Sequence, residues 1–173
     1  MSTVTRRRPV DESALSDGDF HGPGGNLRED QCMELRPFGM LTLGLGSDGL
    51  HMLGATPVGT RIIQEIVSAR LEGERVNASL RGNAAADWLS VDAQGVATFD
   101  IRMTLETDDG AVLYLSYEGR ADWSGGMGKA PVYVAMRFEA GDERYRWLNA
   151  LQPVGKGMMA EGGGLLYEIC ELI

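Results

Sequence analysis

The segment from Phe99 to Gly119, FDIRMTLETDDGAVLYLSYEG, alternates with a period of two. Phe99, Ile101, Met103 and Leu105 are apolar, and Asp100, Arg102, Thr104 and Glu106 between them are polar or charged. Successive side chains of a strand point to opposite sides, so the pattern predicts a strand with one buried and one polar face. Comparable short runs recur at 33–46, 60–73, 75–82, 87–91, 132–141, 145–155 and 164–173. Turn signals such as Asp48-Gly49, Asp109-Gly110 and Gly141-Asp142 separate strand candidates, and the chain holds 24 glycines. Runs bounded in this way predict an all-β domain. Segment 60–72 has some helical spacing, but Ile62, Ile63, Ile66 and Val67 are β-branched and strand candidates flank it, which favours a strand. About nine strands result, enough for a sandwich or a closed antiparallel barrel, and closure removes the exposed edges.

Turn length decides which residues of the 99–119 hairpin share a face. A two-residue turn at Asp109-Gly110 mixes polar and apolar residues on both sides. A three-residue turn, Asp108-Asp109-Gly110 with the glycine left-handed, pairs Leu105 with Leu113, Met103 with Leu115 and Ile101 with Tyr117. It gathers Asp100, Arg102, Thr104 and Glu106 against Glu118, Ser116, Tyr114 and Val112 on the other face. A one-residue slip would undo this segregation, so the three-residue turn is expected. Residue types alone favour a solvated polar face, as on most antiparallel sheets with one side on a core; the alternative is that it lines a pocket.

Composition bounds the rest. With 173 residues, 43% hydrophobic and 24% charged, the chain suits one globular domain. Residues 1–31 lack period and large apolar side chains and read as a flexible tail, carrying Arg6–Arg8 and His21, ahead of a folded domain over 32–173. A net charge of −9 and a pI near 4.7 argue against a nucleic-acid partner or an anionic membrane surface. No apolar run reaches the roughly 18 residues of a membrane span, and no apolar stretch follows the early arginines as an export signal requires. Cys32 and Cys170 are too few for a disulfide framework or a zinc site. A cytoplasmic protein with reduced thiols is expected.

The ordered motifs PVGTR (57–61), ADWLSVDAQGVATFDIRMTLETDDGAVLY (86–114), RFEAGDERYRWLN (137–149), VGKG (154–157) and a terminal YEICEL resemble the family known as domain of unknown function 3237, over about residues 33–173. The resemblance implies a single antiparallel β-barrel of about nine strands, often oligomeric, with an internal small-molecule pocket. It also implies cofactor-free chemistry, since some fungal members are associated with cyclisation in natural-product pathways. The family's motif positions fall on Asp87 and Trp88, Asp100 and Arg102, Asp109 and Gly110, Tyr114, and Tyr145, Trp147, Leu148 and Asn149. Three of these, Asp100, Arg102 and Tyr114, lie on the polar face, and the coincidence shifts the expectation towards a face turned inward.

The residue inventory narrows the chemistry. His21 and His51 are the sole histidines and have no ligand spacing, so no metal site is expected; His51 is read as a loop or strand-end residue and a lesser candidate for a proton shuttle. No nucleophile elbow, Cys/His pairing or phosphate loop occurs. What remains is acid/base work by Arg102, Asp100 and Tyr114, with Trp88, Ser116, Glu118 and Trp147 contacting substrate and no cofactor. For Trp147 and Asn149, packing and turn roles weigh more than catalysis. The expected function is a cofactor-independent isomerase, cyclase or lyase acting on a small, aromatic metabolite. The alternatives are a non-catalytic binding barrel and a structural subunit of a hetero-complex. The partners expected are a small-molecule ligand and further copies of the chain.

Overall fold

The computed structural model describes residues 33–160 and 162–173. The expected tail at 1–31, with Arg6–Arg8 and His21, and Cys32 lie outside the described residues. Nine strands follow in order: β1 (Leu35–Thr56), β2 (Gly59–Gly73), β3 (Asn77–Leu80), β4 (Ala86–Val91), β5 (Val96–Thr107), β6 (Val112–Asp122), β7 (Val132–Ala140), β8 (Pro153–Met159) and β9 (Leu165–Leu172). Every pairing is antiparallel, and the ladder runs β1-β9-β8-β7-β6-β5 and returns to β1 through β2. The position between β5 and β2 is shared end to end by two short strands. β3 lies beside Arg70–Glu72 and Leu105–Thr107, and β4 beside Thr60–Glu65 and part of Ala97–Arg102. The sheet thereby closes into a barrel-like ring of eight strand positions, which leaves few edges to protect.

Alternation fixes which side is core. In β5, Ala97, Phe99, Ile101, Met103 and Leu105 are buried, and they meet buried Leu113, Leu115, Tyr117 and Ala121 of β6. The hairpin register is the one the apolar pattern selects: Leu105 opposite Leu113, Met103 opposite Leu115, Ile101 opposite Tyr117. Its three-residue turn is closed by hydrogen bonds between Thr107 and Ala111, and Gly110 takes the left-handed conformation (φ 88°). Segment 60–72 is strand, within β2.

Two segments depart from expectation. Residues 145–155 form no single strand: a 3-10 helix occupies Glu143–Ala150 and β8 begins at Pro153. Asp142 caps that helix by accepting the Arg144 backbone N–H at 3.0 Å. Asp48-Gly49 is no hairpin turn but part of an irregular stretch inside β1, where Leu45 opposes Ile66 and Leu50 already opposes Gln64. Gln64 stitches this bulge, its amide donating to the carbonyl oxygens of Gly46 and Glu65, each at 3.0 Å.

One end of the ring is plugged. The buried Glu171 carboxylate receives Arg36 and, at 2.8 Å, Arg75. The Arg75 guanidinium lies over the rings of Trp147 and Phe38, 4.5 and 5.6 Å from their centroids. Burial pushes the Glu171 carboxyl up, but the hydrogen bonds and charges of Arg75 and Arg36 outweigh it and hold the group below its ordinary value.

Candidate functional site: an apolar chamber around Asp87

A cavity of about 310 Å³ occupies the other end of the ring. Ile62, Leu89, Phe99 and Ile101 form its walls, and Leu50, Met127 and Met159 stand at its mouth. Among the described residues Asp87 is the one charged side chain that lines it, and no Lys or Arg does. Strand parity puts it there. In β4, Asp87 and Leu89 alternate in phase and are buried, while Trp88 between them turns outward.

Asp87 belongs to an inward row across the sheet. Gln64 of β2 opposes Asp87 of β4, which opposes Ile101 of β5, then Tyr117 of β6, then Met136 of β7. All five are buried. Removal from water disfavours a carboxylate, and burial raises the Asp87 pKa from 3.8 to about 8. The backbone N–H of Asp100, donating to Asp87 Oδ1 at 3.3 Å, and the charge of Arg61 oppose this shift, while the neighbouring Asp100 charge adds to it. At neutral pH the group is a neutral carboxylic acid within an apolar cavity, able to donate a proton and, once ionised, to accept one.

Two phenols stand close by. The rings of Tyr117 and Tyr167 pack edge to face, 5.5 Å between centroids, and both hydroxyls are buried, with no partner within hydrogen-bond geometry among the described residues. Burial keeps both phenols protonated well above their ordinary range, and the Asp87 charge acts in the same direction. They are therefore donors at neutral pH, not bases. Trp123 lines the chamber, meets Phe99 edge-on at 5.2 Å, and has a buried indole N–H without a partner.

The polar face of the 99–119 hairpin points outward, which corrects the expectation of an inward face. Once the faces are segregated, burying Ile101, Met103 and Leu105 is favourable, whereas burying Arg102 and Asp100 would strip two charges of water. Arg102 instead holds Asp100 in a two-pronged contact (3.1 and 2.9 Å) and lies 5.8 Å from the ring centroid of outward-facing Trp88. Asp100, Arg102, Tyr114, Ser116 and Glu118 come together on an exterior groove of about 420 Å³, with Arg137 and Glu139 of β7. Trp88 is outside the ring, and Trp147 packs in the plug at the end opposite the chamber, so neither reaches Asp87.

Other motif residues hold structure together. Asp109 in the hairpin turn accepts hydrogen bonds from Thr107 (2.6 Å), Tyr145 (2.9 Å) and Arg144 (2.6 Å), which dock the 3-10 helix. Asn149 pairs with both backbone groups of Ala140, at 2.7 and 2.9 Å. His51 is an exposed residue within β1, its Nε2 3.4 Å from Glu65 Oε1, and does not line the chamber. Among the described residues no group of three or more His, Cys, Asp or Glu could hold a metal, and no helix is long and apolar enough to cross a membrane.

Comparison with known proteins places this architecture. A β-barrel-like protein from Acinetobacter baumannii is 30% identical, with 82% of this chain and 97% of that chain covered and a TM-score of 0.71. A protein of unknown function from Rhodopseudomonas palustris is 20% identical, with 82% and 99% covered and a TM-score of 0.73. A structure described as an enzyme from Penicillium herquei is 18% identical, with 82% and 94% covered and a TM-score of 0.63. The last two likenesses show the fold alone. No curated protein matches the chain. The family model described as "protein of unknown function (DUF3237)" matches residues 33–172, and the chain belongs to that family.

Proposed function

We propose that the chain is a cofactor-independent acid/base enzyme that binds a small, neutral, largely apolar metabolite inside the barrel, with Asp87 as the proton donor and acceptor. The observation that carries the reading is a carboxyl, lifted by burial to about 8, facing a largely apolar chamber. A chamber without a cation does not compensate an anionic ligand, so a carbonyl or hydroxyl group suits it better than a carboxylate or phosphate. Asp87 in its neutral form hydrogen-bonds or protonates a carbonyl oxygen and takes a proton back at the end of an isomerisation, cyclisation or lyase-type cleavage. Phe99 and Trp123 offer ring faces and edges for a flat ligand, and Tyr117 stands in the inward row of Asp87 beyond Ile101. The Penicillium herquei likeness adds that this fold occurs in a protein described as an enzyme.

Asp87→Asn tests the reading, because the amide keeps the shape and cannot cycle a proton. Small-molecule extract is incubated with wild type or with the folded variant and compared by mass. One metabolite consumed and another formed by wild type alone supports an enzyme acting through Asp87. Equal conversion by both removes Asp87 from the chemistry. A compound retained unaltered by both makes the barrel a carrier.

A further inference from the structure

The apolar wall of the chamber does not stop at its mouth. Leu50 opposes Gln64 and Met52 opposes Ile62 across the β1–β2 ladder, and both partners are buried chamber residues. Directly opposed residues share a face of the sheet, so Leu50 and Met52 stand on the chamber side of an overhanging hairpin. Yet Leu50 is 52% exposed and Met52 60% exposed. Across the mouth, Met127 from the β6–β7 loop is 62% exposed and Met159 at the end of β8 is 46% exposed, although both line the cavity. Four large apolar side chains thus continue the inner wall outward, uncovered among the described residues, three of them methionines whose flexible thioethers adapt to varied apolar shapes.

We infer that the ligand is longer than the chamber: its polar group reaches Asp87 and an apolar tail emerges through the mouth to lie against Leu50, Met52, Met127 and Met159. This rests on the chamber reading above and narrows the substrate class to neutral amphiphilic carbonyl or hydroxyl compounds with an extended alkyl or aryl part. Continuity selects this occupant. The exposed strip adjoins the largely apolar lining, so one molecule covers both surfaces while its polar end meets Asp87, the one charged side chain among the described residues of the lining.

A homologous series on the full chain tests the inference: 2-pentanone, 2-heptanone, 2-nonanone and 2-undecanone, titrated calorimetrically into wild type and Met52→Ser/Met127→Ser. Full burial raises affinity about fourfold per methylene. In wild type the rise continues through 2-undecanone. In the double variant the loss for 2-undecanone exceeds the loss for 2-pentanone by at least tenfold. A wild-type series that levels off after the short ketones, or a rise that persists in the variant, overturns the tail-on-rim arrangement while leaving the chamber reading in place. Failure of every ketone to bind removes the chamber reading and this inference with it. A wild-type dimer that the double variant converts to monomer assigns the rim to a second copy and likewise overturns it.

Discussion

The Asp87 carboxyl and the Tyr117 phenol face the same interior from strands β4 and β6, separated in the inward row by Ile101 alone. No Lys or Arg among the described residues lines that interior, and burial both lifts the carboxyl and keeps the phenol protonated. An arrangement that withholds charge compensation from an acid costs stability, and it is the kind of cost that sites of proton transfer carry.

That cost has a pH signature. The folded-state pKa of Asp87, about 8, lies above its ordinary 3.8, so between these values the folded protein binds a proton that the unfolded chain releases. Stability from this group is complete below the ordinary pKa and declines as pH rises towards 8, by at most about 1.4 kcal/mol per pH unit. Asp87→Asn abolishes the decline. Denaturant unfolding at pH 5, 6, 7 and 8 is expected to show a slope in wild type that the variant lacks. The carboxyls held low, such as Asp109 and Asp142, lose their contributions only at more acidic pH and do not confuse the comparison.

The plug behaves in the opposite sense. Arg36 and Arg75 hold Glu171 below its ordinary 4.5, so its contribution is present above that value and is lost as pH falls through the lowered one. Glu171→Ala leaves two half-exposed arginines and a gap in β9, and a loss of about 1–3 kcal/mol is expected, smaller than for a fully buried pair. Thermal melts at pH 7 and pH 3.5 check it: the difference between variant and wild type narrows in acid.

Gly157 sets the position of the second phenol. A Cβ at this residue would sit 2.3 Å from Tyr167 Cε1, and the ring, wholly buried, has little room to yield. Gly157→Ala is expected to cost about 1–3 kcal/mol and to displace Tyr167. The measurement is the denaturation midpoint together with the aromatic resonances of Tyr167, which shift while those of Tyr114, paired with Glu139 far along β7 from the Gly157 partner Val132, stay in place.

The exterior groove gives a contrasting prediction. Arg102 is more than half exposed and its partner Asp100 is its neighbour on the same strand face, so Arg102→Ala is expected to leave the denaturation midpoint nearly unchanged. Conversion of any metabolite found for wild type is expected to persist in this variant and to fail in Asp87→Asn, which separates groove from chamber in a single mass comparison.

The hairpin was legible to the residue because its two faces differ so sharply in polarity that one register keeps them apart. The same contrast contained the answer to which face is inside, since Ile101, Met103 and Leu105 gain more by burial than Arg102 and Asp100 can recover from each other; resemblance-weighted residues pulled the expectation the wrong way. Asp87 carried a weaker signal. It alternates in phase with Leu89 and out of phase with Ser90, which marks it as inward, but the run Ala86–Val91 is short and Trp88 draws attention to the opposite face. The 3-10 helix at Glu143–Ala150 had a capping signal in Asp142, two residues before Arg144, yet its mix of aromatic and apolar residues also suits a strand. The closing plug of Glu171, Arg36 and Arg75 joins residues 135 apart in sequence at its widest and left no local pattern to read.

The most direct test of the account is the titration of the Asp87 side-chain carboxyl carbon by NMR, assigned by its loss in Asp87→Asn. A midpoint near 8 in the folded protein means that a neutral acid occupies the chamber at physiological pH, as the proposed chemistry requires. A midpoint near the ordinary 3.8 means that the chamber holds a carboxylate, and the proton donor at the centre of this account does not exist.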